Sequence, residues 1–213
     1  MVLAGQFLER ATLIESGGCL LEGLWHRGEA HPALLMCPPH PLRGSSMDSP
    51  VCAEIAFAVS RAGHATLRFN YRGAGASQGE LKDDLAACVE DAEAALGVLA
   101  KNVGHRELVV VGYDFGAEVA LELARKVGDL AGVALIAPLN RDHDFSALAQ
   151  LSVRGLFLVG EHDQSCDRVA LSNLCQQAGD ELAVIEEADH AFTSGLTSLG
   201  RAVAQFVSGE RTL

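Results

Sequence analysis

The sequence predicts an α/β fold: a doubly wound, mostly parallel sheet entered through an antiparallel N-terminal hairpin. Three observations carry this. Short β-branched or apolar runs alternate along the chain with stretches of helical periodicity. The composition is 49% hydrophobic and rich in Ala, Val, Leu and Gly, as a sheet covered on both faces requires. Polar or glycine-rich loops follow the apolar runs, where the carboxyl ends of parallel strands would lie. At 213 residues the chain holds one well-buried core and has no linker or repeat, so residues 1–213 are read as a single domain.

Residues 7–16 and 19–26 are β-prone runs separated by Gly17 and Gly18, a hairpin signal. Residues 33–37 (Ala-Leu-Leu-Met-Cys) form a short apolar strand. The following Pro38-Pro39-His40-Pro41-Leu42-Arg43-Gly44 is read as a stiff, non-helical loop. Pro50 sits well in the first turn of an amphipathic helix over 50–61, which Gly63 ends. A strand over 65–71 runs into the glycine-rich stretch 72–79. A long helix from 81 to about 101 then places Leu85, Cys88, Val89, Ala92, Leu96 and Leu99 at helical spacing. The strand 107–113 feeds the helix 115–127, and the strand 130–136 is closed by Pro138. After the polar 140–144 come a strand over 155–160, a helix to about 178, a strand over 183–187 and a closing helix over 194–207.

A net charge of −12 argues against nucleic acid or an anionic membrane as a partner, since both are polyanions. No apolar run approaches membrane-spanning length, and the first ten residues lack a basic segment of the signal-peptide kind. Cys19, Cys37, Cys52, Cys88, Cys166 and Cys175 have neither zinc nor redox-pair spacing and are read as buried free thiols of a cytoplasmic protein. No metal and no organic cofactor is expected. The remaining partner is a small-molecule substrate, and nothing in the sequence fixes an oligomeric state.

The centre of the chain is Val109-Val-Val-Gly112-Tyr-Asp114-Phe-Gly116-Ala117. A β-branched run into Gly-x-Asp-x-Gly and then a helix has the form of a strand-to-helix elbow, whose strained middle residue is presented for attack. That residue is usually serine; here it is Asp114. Asp163 and His190 follow two later strands, so Asp114, Asp163 and His190 are brought to the same edge of the sheet. The glycines at 73, 75 and 79 lack dinucleotide-binding spacing, and Asp114-Phe115-Gly116 has no kinase motifs around it. His143 and His162 have no metal-ligand spacing. Asp167 is the alternative to Asp163 as the acid.

The pieces Pro39-His40-Pro41-Leu42-Arg43-Gly44, Leu67-Arg68-Phe69-Asn70-Tyr71-Arg72-Gly73, Gly112-Tyr113-Asp114-Phe115-Gly116, Gly160-Glu161-His162-Asp163 and Ala188-Asp189-His190 occur together in this order. In this the chain resembles the capless α/β hydrolases, similar to small dienelactone-hydrolase-like and esterase-like bacterial members, with Asp114 in place of the usual Ser or Cys. The resemblance implies the α/β-hydrolase fold without a cap domain. It implies His190 as base, Asp163 as the acid fixing its tautomer, and an oxyanion hole at the N–H groups of Phe115 and Leu42. His40, Arg43, Tyr71 and Tyr113 are expected to contact substrate, with His40 also a brace for the oxyanion loop.

An elbow carboxylate also resembles haloalkane dehalogenases and epoxide hydrolases, where an aspartate attacks an sp3 carbon. Phe115 stands where the dehalogenases carry a halide-binding tryptophan, and the span 138–155 is too short for the cap that supplies epoxide hydrolases with tyrosines. The expected function is hydrolysis of a small, fairly apolar epoxide, lactone, ester or thioester through Asp114, His190 and Asp163. The alternatives are an esterase or thioesterase silenced by Asp114, and a non-catalytic relative that binds a small molecule or a protein. With carboxylates on both sides, His190 is expected to hold its proton tightly, favouring turnover at alkaline pH if it must first act as base.

Overall fold

The computed structural model describes residues 9–104 and 107–210. Eight strands form one sheet: β1 (Arg10–Ser16), β2 (Cys19–His26), β3 (Ala30–Cys37), β4 (His64–Phe69), β5 (Leu108–Tyr113), β6 (Gly132–Ile136), β7 (Gly155–Gly160) and β8 (Glu181–Ile185). Their order across the sheet is β1-β2-β4-β3-β5-β6-β7-β8. β1 pairs antiparallel with β2, and β2 antiparallel with β4; every later pairing is parallel. This is the α/β-hydrolase fold, and β5 lies near its middle.

Side-chain alternation along the central strands divides the core in two. Ala33, Leu35 and Val110 face one way, against α2 (Leu85–Val103), α3 (Phe115–Val127) and α4 (Arg168–Ala178). Leu34, Met36, Val109, Val111 and Tyr113 face the other, against α1 (Pro50–Arg61) and α5 (Leu196–Val207). The near-continuous apolar runs of these strands are therefore buried on both sides, as expected for a parallel sheet.

Several boundaries differ from the sequence expectation, each for a local reason. Pro41–Arg43 is a short 3-10 turn rather than non-helical loop: proline is tolerated in a first turn, the His40 side chain caps it, and Gly44 closes it at φ 73°. The long helix starts at Leu85, not 81, because Asp84 is its cap and accepts from the Ala87 N–H at 3.2 Å. The last strand is Glu181–Ile185 rather than 183–187, since it pairs with β7 from Leu156 onward and Glu187 lies in a turn at φ 56°. Asp167 caps α4 through the Val169 and Ala170 N–H groups. The hairpin begins at Arg10, and the part of its first run at residues 7 and 8 lies outside the described residues. All six cysteines are free; five are buried and Cys19 is half-buried.

Candidate active site

The turn between β5 and α3 is made by its glycines. A Cβ on Gly112 would strike the Gly116 carbonyl, and one on Gly116 would strike the Cys37 carbonyl at the end of β3. Both positions thus require the absence of a side chain, and together they drive the chain sharply from strand into helix. Asp114 sits at the bend with φ 56° and ψ −121°. That conformation costs an L residue on the order of 1–3 kcal/mol. It is held by the Asp114 N–H donating to the Ile136 carbonyl at 3.0 Å and its carbonyl accepting from Ala117 N–H at 3.0 Å.

His190 lies in the turn after β8 and reaches both acids. Its Nδ1 is 2.9 Å from Asp163 Oδ2 and its Nε2 is 3.3 Å from Asp114 Oδ1. Asp163, directly after β7, is enclosed: its side chain has no solvent exposure. The Ser165 N–H donates to its Oδ1 at 2.8 Å and the Cys166 thiol to its Oδ2 at 3.2 Å. The same thiol lies 3.0 Å from the Pro138 carbonyl. Tyr113 flanks His190 and donates its hydroxyl to the His190 carbonyl at 3.3 Å.

Electrostatics follow from this line of three groups. Burial alone would lower the His190 pKa, but hydrogen bonds to Asp114 and Asp163 and the charges of both outweigh it and raise it to about 9. Burial works the other way on Asp114, and is offset by the His190 hydrogen bond, the Phe115 N–H and the charges of His190 and Arg43, leaving its pKa below the ordinary carboxylate value. Asp163 is likewise lowered: its desolvation is offset by His190, the Cys166 thiol and the Ser165 N–H. At neutral pH the line is carboxylate, imidazolium, carboxylate.

Of the two N–H groups predicted for the oxyanion hole, that of Leu42 is engaged. The Leu42 N–H donates to His40 Nδ1 at 3.2 Å. Since that nitrogen accepts, the His40 proton is on Nε2 and is donated to Asp83 Oδ1 at 3.0 Å. The His40 ring also packs on Phe115, with centroids 4.4 Å apart. His40 is therefore placed as a brace between the 3-10 turn, the elbow and the segment before α2.

Arg43 Nη1 stands 4.0 Å from Asp114 Oδ1 with its side chain 62% exposed. A cleft of about 450 Å³ opens beside it, walled by Leu42, Leu85, Phe115 and Leu139, with His143 and Glu118 on its rim. Tyr71 and Tyr113, expected to contact substrate, both have their hydroxyls turned to the backbone. Tyr71 is 1% exposed and donates to the Pro38 carbonyl at 3.1 Å, and Tyr113 is 7% exposed and committed to His190. A buried phenol keeps its proton and needs an acceptor, and both have found one in the backbone.

Sequence reading missed Cys166, Ser165 and Asp83, which hold the residues it did select. None belongs to a motif, and only spatial closeness reveals them. It also missed the grouping of Glu161, His162 and Glu187 beside Asp163, whose donor atoms lie within 4.8 Å of one another at the surface. Their own contacts account for it: His162 pairs with Glu187 at 3.6 Å, and Glu161 accepts from the Glu187 N–H at 3.0 Å.

Comparison with known proteins follows the fold. An uncharacterized protein of Rickettsia prowazekii is 30% identical over 187 residues, covering 83% of this chain and 78% of that protein. Two solved structures superpose closely. An α/β serine hydrolase homologue from Coxiella burnetii is 25% identical with a TM-score of 0.83, covering 97% of this chain and 99% of that one. A serine hydrolase without a lid from Xanthomonas campestris is 22% identical with a TM-score of 0.80, covering 93% and 92%. The profile of the family described as serine aminopeptidase, S33, matches residues 42–155, which include the elbow and end before Asp163 and His190. With more than half of its length under that profile, the protein belongs to the serine aminopeptidase S33 family of α/β hydrolases.

Proposed function

We propose that the protein is a hydrolase of small molecules bearing an electrophilic sp3 carbon, epoxides first among them, with Asp114 as nucleophile. The observation that carries this is the contact of His190 Nε2 with Asp114 Oδ1 at 3.3 Å, which sets a proton donor, and later a base, against the carboxylate at the elbow. Acyl transfer from lactones, esters or thioesters needs a pair of free donors for the substrate carbonyl, and the Leu42 N–H is taken by His40.

The chemistry balances with the groups present. One Asp114 oxygen attacks an epoxide carbon, the carbon–oxygen bond breaks, and its electron pair goes to the leaving oxygen. The imidazolium Nε2–H of His190, against Asp114 Oδ1 at 3.3 Å, donates its proton to that oxygen. Tyr71 and Tyr113 are turned into the backbone and do not serve as this acid. Esterification removes the Asp114 charge, so His190 loses one of its two carboxylates and becomes a usable base. It takes a proton from water, whose oxygen attacks the Asp114 carbonyl carbon. Collapse of the intermediate expels the second alcohol, which is protonated by His190. Asp114 then returns its carboxyl proton to His190.

Two measurements test this. A single turnover in heavy-oxygen water should place label in Asp114, found by mass spectrometry of the peptide. Turnover without label would replace the covalent route by His190 or Asp114 acting as a general base on water. The pH profile separates the same routes: acid assistance by His190 makes kcat fall as pH rises through about 9, whereas general-base action from the resting state makes it rise there.

A silent, ligand-binding site is the second reading, and the pairing of the Asp114 carboxylate with His190 favours it. Absence of turnover on epoxide, ester and thioester panels, together with esterase activity gained by Asp114→Ser, would establish it.

A further inference from the structure

We propose that Arg43 anchors a carboxylate on the substrate, so that the molecules acted on are small amphipathic acids whose reacting carbon lies beside the carboxyl group. This rests on the reading of Asp114 as nucleophile and gives it a substrate class.

The cleft beside Arg43 carries four other charged or ionisable groups, and these are matched in pairs. His40 holds Asp83 at 3.0 Å, and His143 Nδ1 lies 3.0 Å from Glu118 Oε1. Among the described residues, Asp114 is the only carboxylate within 4.0 Å of the Arg43 guanidinium, and it sits at the limit of that distance. When Asp114 becomes an ester its charge is gone, and Arg43 is the cleft's one cation without a counterion. A substrate carboxylate supplies that counterion at the stage when it is needed.

Geometry agrees. Guanidinium binds carboxylate through two parallel N–H donors at about 2.8 Å. A carboxylate held in this way on Arg43 puts the next one or two carbons of its chain within reach of Asp114 Oδ1, given the 4.0 Å between guanidinium and nucleophile. The rest of the molecule runs along Leu42, Leu85, Phe115 and Leu139, an apolar wall in a space of about 450 Å³. A 2,3-epoxy acid of modest chain length meets all three demands: anion, electrophilic carbon and apolar tail.

The test separates anchoring from chemistry. Binding of a 2,3-dihydroxy-hexanoate, the product-like acid, and of its uncharged amide is measured by calorimetry on the wild-type protein, Arg43→Gln and Arg43→Lys. The acid should bind the wild type about tenfold more tightly than it binds Arg43→Gln, the size of one charge-assisted hydrogen-bonded pair. Arg43→Lys should fall between, and the amide should bind all three alike. An acid that binds no better than its amide, or equally well to wild type and Arg43→Gln, overturns the anchor. In parallel, a single turnover of the 2,3-epoxy acid in heavy-oxygen water reads the label on Asp114. Loss of label with the binding preference intact would remove the covalent mechanism and leave Arg43 as the anchor. Label with no binding preference would do the reverse.

Discussion

Replacing Asp114 by asparagine keeps the shape of the elbow and removes one of the two charges that hold the His190 proton. Raising that imidazole from 6.5 to about 9 corresponds to about 3 kcal/mol between its charged and neutral forms. The side chain is 30% exposed, and solvent screening together with the cost of burial makes this an upper figure for stability. Both carboxylates raise it, through hydrogen bonds and charge, while burial opposes them in either variant. Asp114→Asn should therefore lower the His190 pKa by on the order of 1–2 pH units. The sign for folding is set by the same shift. A raised histidine stabilises the fold fully below 6.5, and that contribution is lost as pH rises through about 9. Asp114 and Asp163 are lowered, so their share is present above 3.8 and lost as pH falls through their depressed values. Wild-type stability should thus be highest between about pH 4 and 6.5 and decline toward 9, with a smaller decline in Asp114→Asn. Imidazole resonances followed by NMR, and urea unfolding at pH 6 and pH 10, read both quantities. A variant whose His190 still titrates near 9, or a wild type that gains stability from pH 6.5 to 9, would refute the coupling of these three residues.

Other substitutions probe what supports the line. Cys166→Ala removes a thiol that helps hold the Asp163 proton affinity down, so His190 should titrate higher in the same NMR experiment. Gly116→Ala drives a methyl into the carbonyls of Cys37 and Pro38 and should cost on the order of 1–3 kcal/mol, seen as a lower urea midpoint. Asp91 is wholly buried and accepts from Ser16 Oγ at 2.7 Å, the Arg72 N–H at 2.8 Å and Arg72 Nη2 at 2.6 Å. Asp91→Ala removes the buried acceptor of Ser16 Oγ and the Arg72 N–H, while Arg72 keeps its pair with Glu90 at 2.6 Å, and should destabilise by about 1–3 kcal/mol by the same assay, without altering the His190 titration.

The fold was legible because its signals are local. Val109 to Gly112 is β-branched and bounded, Gly112 and Gly116 bracket one residue, and helix and strand alternate with their proper periods. Asp114, Asp163 and His190 could be grouped because each follows a strand, and strand ends in a parallel sheet share an edge. What could not be read depends on contacts far apart in sequence. The tyrosines at 71 and 113 look alike and polar in sequence, and only the fold shows their hydroxyls turned onto the Pro38 and His190 carbonyls. The start of α2 was misplaced because Asp83 is drawn to His40, 43 residues away, while Asp84 caps the helix. The Leu42 N–H was assigned to an oxyanion hole by position, but its partner is a ring two residues back.

Since Gly112 and Gly116 impose the bend, the residue between them bears the same backbone strain whichever L side chain it carries. Position 114 is in that sense a socket: serine, cysteine, asparagine or aspartate can be seated there without reshaping β5 or α3. Changes of reaction type in this scaffold are then nearly free of folding cost, apart from the ion pair that an acid makes with His190. A lineage can pass from one chemistry to another in a single codon, and the glycines are the part it must keep.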